Sequence, residues 1–348
     1  MIFRQLFDHD SSTFTYLLAC EVTREALIID PVLGRVDRYL QLLEELDLKL
    51  AKAVDTHCHA DHITALGALR DKTRCITVMS EYTDVDVVSM RVRDGDKIDV
   101  GNISLTVLHT PGHTGDSCCF VMDDRVFTGD TLLIRGTGRT DFQQGDAHAA
   151  FVSLFNKLMT LPEETFVYPG HDYKGESVST IAEERAFNPR LQVTSADQYA
   201  EIMNSLNLPN PKMMDVAIPA NLTIGYQPSD PQIDSQTLGI DEAESLLDTP
   251  NILFIDLRET SERQKDGIIK GSLHTPYASL EENIRPGGLL RSLSNDSSST
   301  LLLYCSFGER SALALQALRE AGIGNVKHIG GGIEAWKKAG SPLEKISG

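Results

Sequence analysis

Leu50-Ala-Lys-Ala-Val-Asp-Thr-His-Cys-His-Ala-Asp-His62 is the stretch on which the fold of the amino-terminal half turns. Its apolar run, Leu50 to Val54, reads as a short strand. His57, His59, Asp61 and His62 then place four candidate metal ligands within six residues at the strand's end. Imidazole and carboxylate suit intermediate and hard first-row cations, and alternate residues of extended chain point the same way, so His57 and His59 are expected to face one ion together. More such groups follow: His113 in Thr110-Pro-Gly-His-Thr-Gly115, Asp130 in Phe127-Thr-Gly-Asp-Thr131 and His171 in Tyr168-Pro-Gly-His-Asp172. Each lies at a turn after β-branched or aromatic residues. One histidine beside a turn is ordinarily a surface or capping residue. The ordered set is what points to a metal centre.

At 348 residues the chain exceeds what one hydrophobic core usually supports, so two domains are expected. Its 41% apolar and 24% charged residues are those of an ordinary globular protein. A net charge of −18 and a pI near 4.9 exclude nucleic acid and anionic membranes as natural partners, because their phosphates would be repelled. Small anionic substrates then need local cationic pockets. No apolar run approaches the ~20 residues that span a bilayer, and the amino terminus lacks a basic segment followed by an apolar one, so a cytoplasmic protein is expected. The composition leaves a homo-oligomer open. The six cysteines form no C-x-x-C pair, which fits a reducing compartment. Cys20, Cys58, Cys75, Cys118 and Cys119 read as packing residues.

From Phe14 to about Leu222 strand-like runs (Thr13 to Ala19, Ala26 to Ile29, Ile103 to His109, Ser117 to Met122) alternate with helical stretches. Val36, Leu40, Leu43 and Leu46 have helical spacing within residues 34 to 47, and Asp146 to Met159 reads similarly. Residues 225 to 235, polar and with two prolines, read as a linker. Beyond it Ile252 to Leu257, Asp241 to Leu247, Leu301 to Tyr304 and Ser311 to Glu320 give the alternation of a small parallel α/β domain. The serine-rich Ser292 to Thr300 reads as a surface loop.

The ordered metal-binding set resembles the metallo-β-lactamase superfamily, whose fold is an αββα sandwich. Members with these ligands are often binuclear zinc hydrolases, with His57, His59 and His113 on one ion, Asp61, His62 and His171 on the other and Asp130 bridging. Ligand spacing alone does not separate that arrangement from a single iron. Further segments do: Phe3-Arg-Gln-Leu-Phe-Asp8, Ser11 to Leu18, Ile134-Arg-Gly-Thr-Gly-Arg-Thr-Asp-Phe-Gln143, and Ile202 to Leu222 with Asn207-Leu-Pro209 and Pro219-Ala-Asn-Leu222 are similar to the persulfide dioxygenase family. The resemblance covers nearly all of residues 1 to 224. It implies one Fe(II) per chain, held by His57, His113 and Asp130, with positions left for glutathione persulfide and O2. His59, Asp61, His62 and His171 would then orient ligands, hold water or shuttle protons. Arg139, Asp141 and Tyr173 match the family's glutathione-binding positions; the alternative for Arg139 and Asp141 is a local ion pair in a turn. The family's frequent cysteine after Pro-Ala-Asn-Leu is replaced, since Ile224 stands in Asn221-Leu-Thr-Ile-Gly225.

In the second half Leu301-Leu-Leu-Tyr304 reads as a buried strand running into Cys305-Ser-Phe-Gly-Glu-Arg-Ser311, with a helix from about Ser311. A loop between strand and helix can curl its N–H groups around a thiol, and Arg310 adds a formal positive charge. With Asp256-Leu-Arg-Glu259, Gly267 to Pro276 and Gly330 to Gly340, this resembles the rhodanese family over residues 236 to 348. The family's G-H-I-P-G element stands here as Gly267-Ile-Ile-Lys-Gly271, which predicts an altered loop with activity retained. The resemblance implies that Cys305 carries a sulfane sulfur, that Ser306, Phe307, Gly308, Glu309 and Ser311 form its loop, and that Arg310 stabilises an anionic donor. Arg258 is expected in an ion-pair network. The expected protein is thus an αββα sandwich (1–224), a linker (225–235) and a rhodanese-type α/β domain with a parallel sheet (236–348). It would oxidise glutathione persulfide and move sulfur between thiosulfate and glutathione. The alternative is a dizinc glutathione thioesterase with an accessory sulfurtransferase or sensing domain.

Overall fold

Strand Lys49–Val54 takes an interior place in its sheet, as its apolar run predicts: only Lys49 and Ala51 are accessible and the last three residues are buried. In the computed structural model, which describes residues 1–225, 231–295 and 299–346, the chain divides into two units. These are Met1–Asp86 with Met90–Ile224, and Gly225–Gly348 with Val87–Ser89. Residues 226–230, at the centre of the expected linker, lie outside the described residues.

The first unit carries two six-stranded sheets. One runs in chain order from β1 (Ile2–Asp8) through β2 (Thr13–Ala19), β3 (Glu25–Ile29), β4 (Lys49–Val54) and β5 (Ile76–Ser80) to β6 (Met90–Val92). The other contains β7 (Lys97–Val100), β8 (Ile103–His109), β9 (Cys118–Val121), β10 (Arg125–Gly129), β11 (Phe166–Pro169) and β12 (Ser179–Thr180). Every residue of β2 is buried, because both of its faces are covered. On one face Thr15 meets Tyr39 of the helix Val36–Glu45, their hydroxyls 3.0 Å apart. On the other, Tyr16 packs at 4.9 Å against Phe127 of β10. The preceding residue of β10, Val126, points the opposite way and joins Leu154, Tyr199 and Met203 of the helices Ala147–Asn156 and Ala196–Asn204. Strand alternation thereby generates helix, sheet, sheet, helix. Helix Val36–Glu45 belongs to this order because Val36, Tyr39, Leu42 and Leu43 form one buried stripe.

The second unit holds a five-stranded sheet: β13 (Thr237–Leu238), β14 (Ile252–Asp256), β15 (Leu273–His274), β16 (Thr300–Tyr304) and β17 (Val326–Ile329). Its order is β13-β17-β16-β14-β15 and every pairing is parallel. Trp336 and Ile333 of the helix Gly332–Lys338 pack with Phe254, Leu302 and Tyr304 in the core. The altered Gly267-to-Gly271 segment is tied down without histidine or proline: Ile268 exchanges two 2.8 Å backbone bonds with Glu344, and Ile269 is fully buried.

Three sequence expectations change. His57 to His62 form an irregular loop, since β4 ends at Val54. The helix after Cys305 opens at Glu309, so Arg310 and Ser311 fall in its first turn. Ser292 to Ser294 belong to a helix, Leu289–Ser294, that Leu290 anchors in the core, while 296–298 lie outside the described residues.

Candidate active site

Because the chain turns after Val54, the histidines of the loop crowd together instead of alternating along a strand. The ring centroids of His57 and His59 are 4.2 Å apart, those of His59 and His62 4.3 Å, and those of His57 and His113 4.9 Å. His57, His113 and Asp130 each offer a ligand atom, all within 4.8 Å of one another. His59, Asp61 and His62 form a second such group, so the expected sharing of one ion by His57 and His59 on a common strand face is not what the loop arranges.

Hydrogen bonds behind the rings set which nitrogen faces forward. Thr56 gives its hydroxyl hydrogen to Asp30 Oδ2 (2.9 Å) and so accepts from His57 Nδ1, at 2.9 Å. His113 Nδ1 donates to the main-chain carbonyl of Arg139 at 2.8 Å. Both rings therefore turn Nε2 toward the cluster, and His113 Nε2 lies 3.5 Å from Asp130 Oδ2. Glycine at 138 is what lets that carbonyl approach: a Cβ there would stand 2.8 Å from His113 Nδ1. His171 donates through Nδ1 to Ser12 O at 3.1 Å and brings Nε2 to 3.4 Å from Asp130 Oδ1 and 3.6 Å from Asp61 Oδ2. Asn221 closes the loop from behind, donating to the carbonyls of His59 and His62 and accepting from Thr64 N–H, each at 2.9 Å.

The electrostatics suit a cation. Burial and neighbouring imidazoles hold His57 and His59 well below the usual histidine range, so both are neutral, as metal ligands must be. Burial would lift the Asp61 carboxyl, but His171 and His62 outweigh it and hold it well down. Burial would likewise lower His171, yet Asp130 and Asp61 raise it to about 9. Asp130 Oδ1, His59 Nδ1 and His62 Nε2 are buried without a hydrogen-bond partner among the described residues, a costly state that a bound ion relieves. The residues therefore fit a metal.

Arg139 and Asp141 do form the local ion pair, at 2.5 and 2.6 Å, and the guanidinium also donates to Pro209 O and lies 4.7 Å over Phe142. Phe142 in turn meets the His113 ring at 5.8 Å. Tyr173, 70% exposed, stacks on His171 at 5.8 Å. The three expected glutathione contacts thus sit on the rim of the cluster, with Arg139 already engaged. Burial pushes the Cys58 and Cys118 thiols up to about 12 and Cys119 to about 11, which matches inert packing. Cys20 differs: Thr23 N–H and hydroxyl, with Asn102 N–H, pull its thiol down to about 7.

In the second unit Cys305 directly follows β16 and is buried, with Gly308 N–H donating to Sγ at 3.2 Å. Ile333 N–H and Glu334 N–H hold the carbonyls of Cys305 and Ser306 at 2.8 and 3.1 Å, turning the planar peptides so that their N–H groups face away from that helix. Gly332 makes this possible, since a Cβ there would stand 2.7 Å from Ser306 O. Arg310 lies elsewhere than expected: both terminal nitrogens are taken by Glu262, which also accepts from Ser306 Oγ at 2.5 Å. Its charge reaches the thiol through space, from beneath the loop. Arg258 holds Asp256 at 2.7 and 2.9 Å, within an ion-pair network as expected. Phe307, Glu309 and Ser311 complete the loop and helix start. Asp30, Thr56, Asn221, Glu262 and His328 were missed from sequence; only Asn221 carried a signal, inside Pro219-Ala-Asn-Leu222.

A buried histidine-aspartate metal cluster at the edge of an αββα sandwich, followed by a thiol loop on a parallel sheet, defines a metallo-β-lactamase-type domain joined to a rhodanese-type domain. The Metallo-beta-lactamase superfamily model matches residues 10–171 and the Rhodanese-like domain model residues 239–339. Over 230 residues, 65% of this chain and 90% of the relative, the sequence is 47% identical to the human (Homo sapiens) protein named persulfide dioxygenase ETHE1, mitochondrial. The crystal structure of ETHE1 from Myxococcus xanthus is 55% identical with a TM-score of 0.63, covering 65% of this chain and 100% of that one. A metallo-beta-lactamase from Staphylococcus aureus, 24% identical with a TM-score of 0.60 over 95% of this chain and 98% of its own, shares the fold. The chain belongs to the persulfide dioxygenase family, with a rhodanese-like domain at its carboxyl-terminal end. Among the described residues no helix is long and apolar enough to cross a membrane.

Proposed function

We propose that the first domain, residues 1–224, oxidises glutathione persulfide with O2 and water to sulfite, glutathione and two protons. In the same reading the second, residues 236–348, moves sulfane sulfur between thiosulfate and glutathione through a persulfide on Cys305. Residues 225–235 link them. The observation that carries the first part is the 47% identity to a persulfide dioxygenase together with the His57, His113 and Asp130 cluster. These three residues would hold one Fe(II), which supplies redox chemistry with dioxygen that zinc lacks. Thr56 and the Arg139 carbonyl keep the His57 and His113 rings in the ligating tautomer. Asp61 and His171 form a charged pair that orients the neighbouring ligands, and His59 and His62 hold water or shuttle protons. Arg139 and Tyr173 bind glutathione at the rim, with Asp141 sharing Arg139 or receiving the substrate's amine. For the second domain, support comes from the rhodanese-like match and from the Gly308 N–H aimed at the Cys305 sulfur. Arg310 favours a sulfur anion from below the loop, and the thiolate attacks the outer sulfur of thiosulfate. The six cysteines, all free, fit a reducing compartment, which we take to be the cytoplasm.

Metal analysis with oxygen uptake on glutathione persulfide tests this reading. One iron per chain and uptake are expected. Two zinc ions per chain with no uptake would replace it by a glutathione thioesterase, for which the unpartnered His59 and His62 nitrogens supply a second ion position.

A further inference from the structure

Behind Cys305 runs a file of hydrogen bonds that the sulfur-transfer reading does not use. Ser311 Oγ lies 3.8 Å from Cys305 Sγ and 3.1 Å from His328 Nδ1. His328 Nε2 lies 2.8 Å from Thr237 Oγ1, which donates to the Ile233 carbonyl at 2.9 Å. His328 is buried on β17, and Thr237 is half-buried on the edge strand β13. Since the Thr237 hydrogen goes to Ile233, Thr237 must accept from His328 Nε2–H. His328 Nδ1 then carries the lone pair, and the one Ser311 hydrogen has two acceptors, the Gly308 carbonyl at 3.0 Å and Nδ1 at 3.1 Å; turned to Nδ1 it satisfies the imidazole.

From this geometry we infer that Ser311, His328 and Thr237 form a proton relay that deprotonates Cys305, with His328 as the positioning residue that sets the direction of the Ser311 hydroxyl. It rests on the sulfur-carrying role proposed above for Cys305. In the thiol form every group donates outward: Cys305 S–H to Ser311, Ser311 to His328 Nδ1, His328 Nε2–H to Thr237, Thr237 to Ile233. Passing one proton along reverses every donor. The thiol proton moves to Ser311, the Ser311 proton to Nδ1, the Nε2 proton to Thr237 and the Thr237 proton to solvent water. The file loses one proton in all, and the imidazole is neutral before and after. That neutrality matters, because burial holds His328 down to about 4 and makes a standing imidazolium costly. Afterwards the Ser311 O–H points at the sulfur anion beside the Gly308 N–H. The thiolate pair then bonds to the outer sulfur of thiosulfate, whose S–S bond breaks with its electrons leaving on sulfite. Cys305 is left as the persulfide anion. Without the imidazole, Ser311 has the Gly308 carbonyl, 3.0 Å away, as its remaining acceptor, and the sulfur loses its route for the proton.

The test is single-turnover loading of Cys305 by thiosulfate in the full chain, read by mass, in H2O and D2O. His328→Asn keeps an acceptor where Nδ1 stood but cannot pass a proton through. Thr237→Val removes the far end while keeping a β-branched residue on the strand. Both are expected to load about 10-fold or more slowly and to lose most of the solvent isotope effect. Thr237→Ser, which restores a hydroxyl, is expected to recover rate and isotope effect. Loading by His328→Asn or Thr237→Val at the wild-type rate, or by Thr237→Ser as slowly as Thr237→Val, overturns the relay. A wild-type chain that takes up no sulfur at Cys305 overturns the sulfurtransferase reading and the relay with it. Trp336, the single tryptophan of the chain, reports whether each variant's second domain is folded.

Discussion

Glu262 grips Arg310 with both carboxylate oxygens, at 2.6 and 2.8 Å, and neither side chain is more than 8% exposed. The pair fastens the helix Thr260–Asp266 to the first turn of Glu309–Glu320, directly under the thiol loop. Removing one partner leaves a buried charge alone, which typically costs about 3–5 kcal/mol, whereas removing both costs less. Arg310→Ala is therefore expected to destabilise the second domain by that order, and Arg310→Ala with Glu262→Ala by less than the single change. Urea unfolding followed through Trp336 measures it. A loss under about 1 kcal/mol in Arg310→Ala would show that the ion pair is not what holds the loop.

His113→Ala removes a proposed iron ligand, whose Nε2 faces Asp130 and whose Nδ1 is held by the Arg139 carbonyl. Iron content and oxygen uptake should fall to background, while Cys305 still loads with sulfur. Cys305→Ser should do the reverse. Loss of both activities in either variant would contradict two separable sites.

Arg139→Ala, judged from the rim position beside Phe142 and His113, should raise KM for glutathione persulfide about 10-fold, the value of one charge-assisted bond, with little change in kcat. Steady-state oxygen uptake over a range of substrate gives both constants. An unchanged KM would return Arg139 and Asp141 to a purely local ion pair.

Acid should weaken the second domain through His328. Burial lowers this ring from 6.5 to about 4 in the folded chain, so below pH 6.5 the unfolded chain binds a proton that the folded one refuses. The sign follows: stability is full above that range and is lost as pH falls toward 4, by about 2 kcal/mol between pH 7 and pH 5. His328→Asn should flatten this slope. Equal slopes in both proteins, compared by urea unfolding at the two pH values, would exclude His328 as its source.

Much of this was legible in the residues. The strand-like runs at Thr13 to Ala19 and Ile103 to His109 became strands, and the order His57, His113, Asp130, His171 was enough to expect one cluster. The path of the loop after Val54 was not, because an apolar run announces a strand but not where it turns. Nor was the partner of Arg310. A guanidinium four residues from a thiol-loop serine reads as facing the substrate, and only the packing of the helix Thr260–Asp266 reveals the carboxylate that takes it. Asn221 and His328 stayed hidden for a related reason. Their partners lie 162 and 17 residues away, and such contacts leave no local pattern.

Asn221 has an implication for how the protein is made. Synthesis runs from the amino end, so His57 to His62 leave the ribosome long before the amide that pins their carbonyls. Until residue 221 emerges, the nascent loop lacks its latch, and a metal ion offered early meets candidate ligands that are present but not yet gathered. A chain stopped short of Asn221 would keep every ligand and still bind the ion loosely.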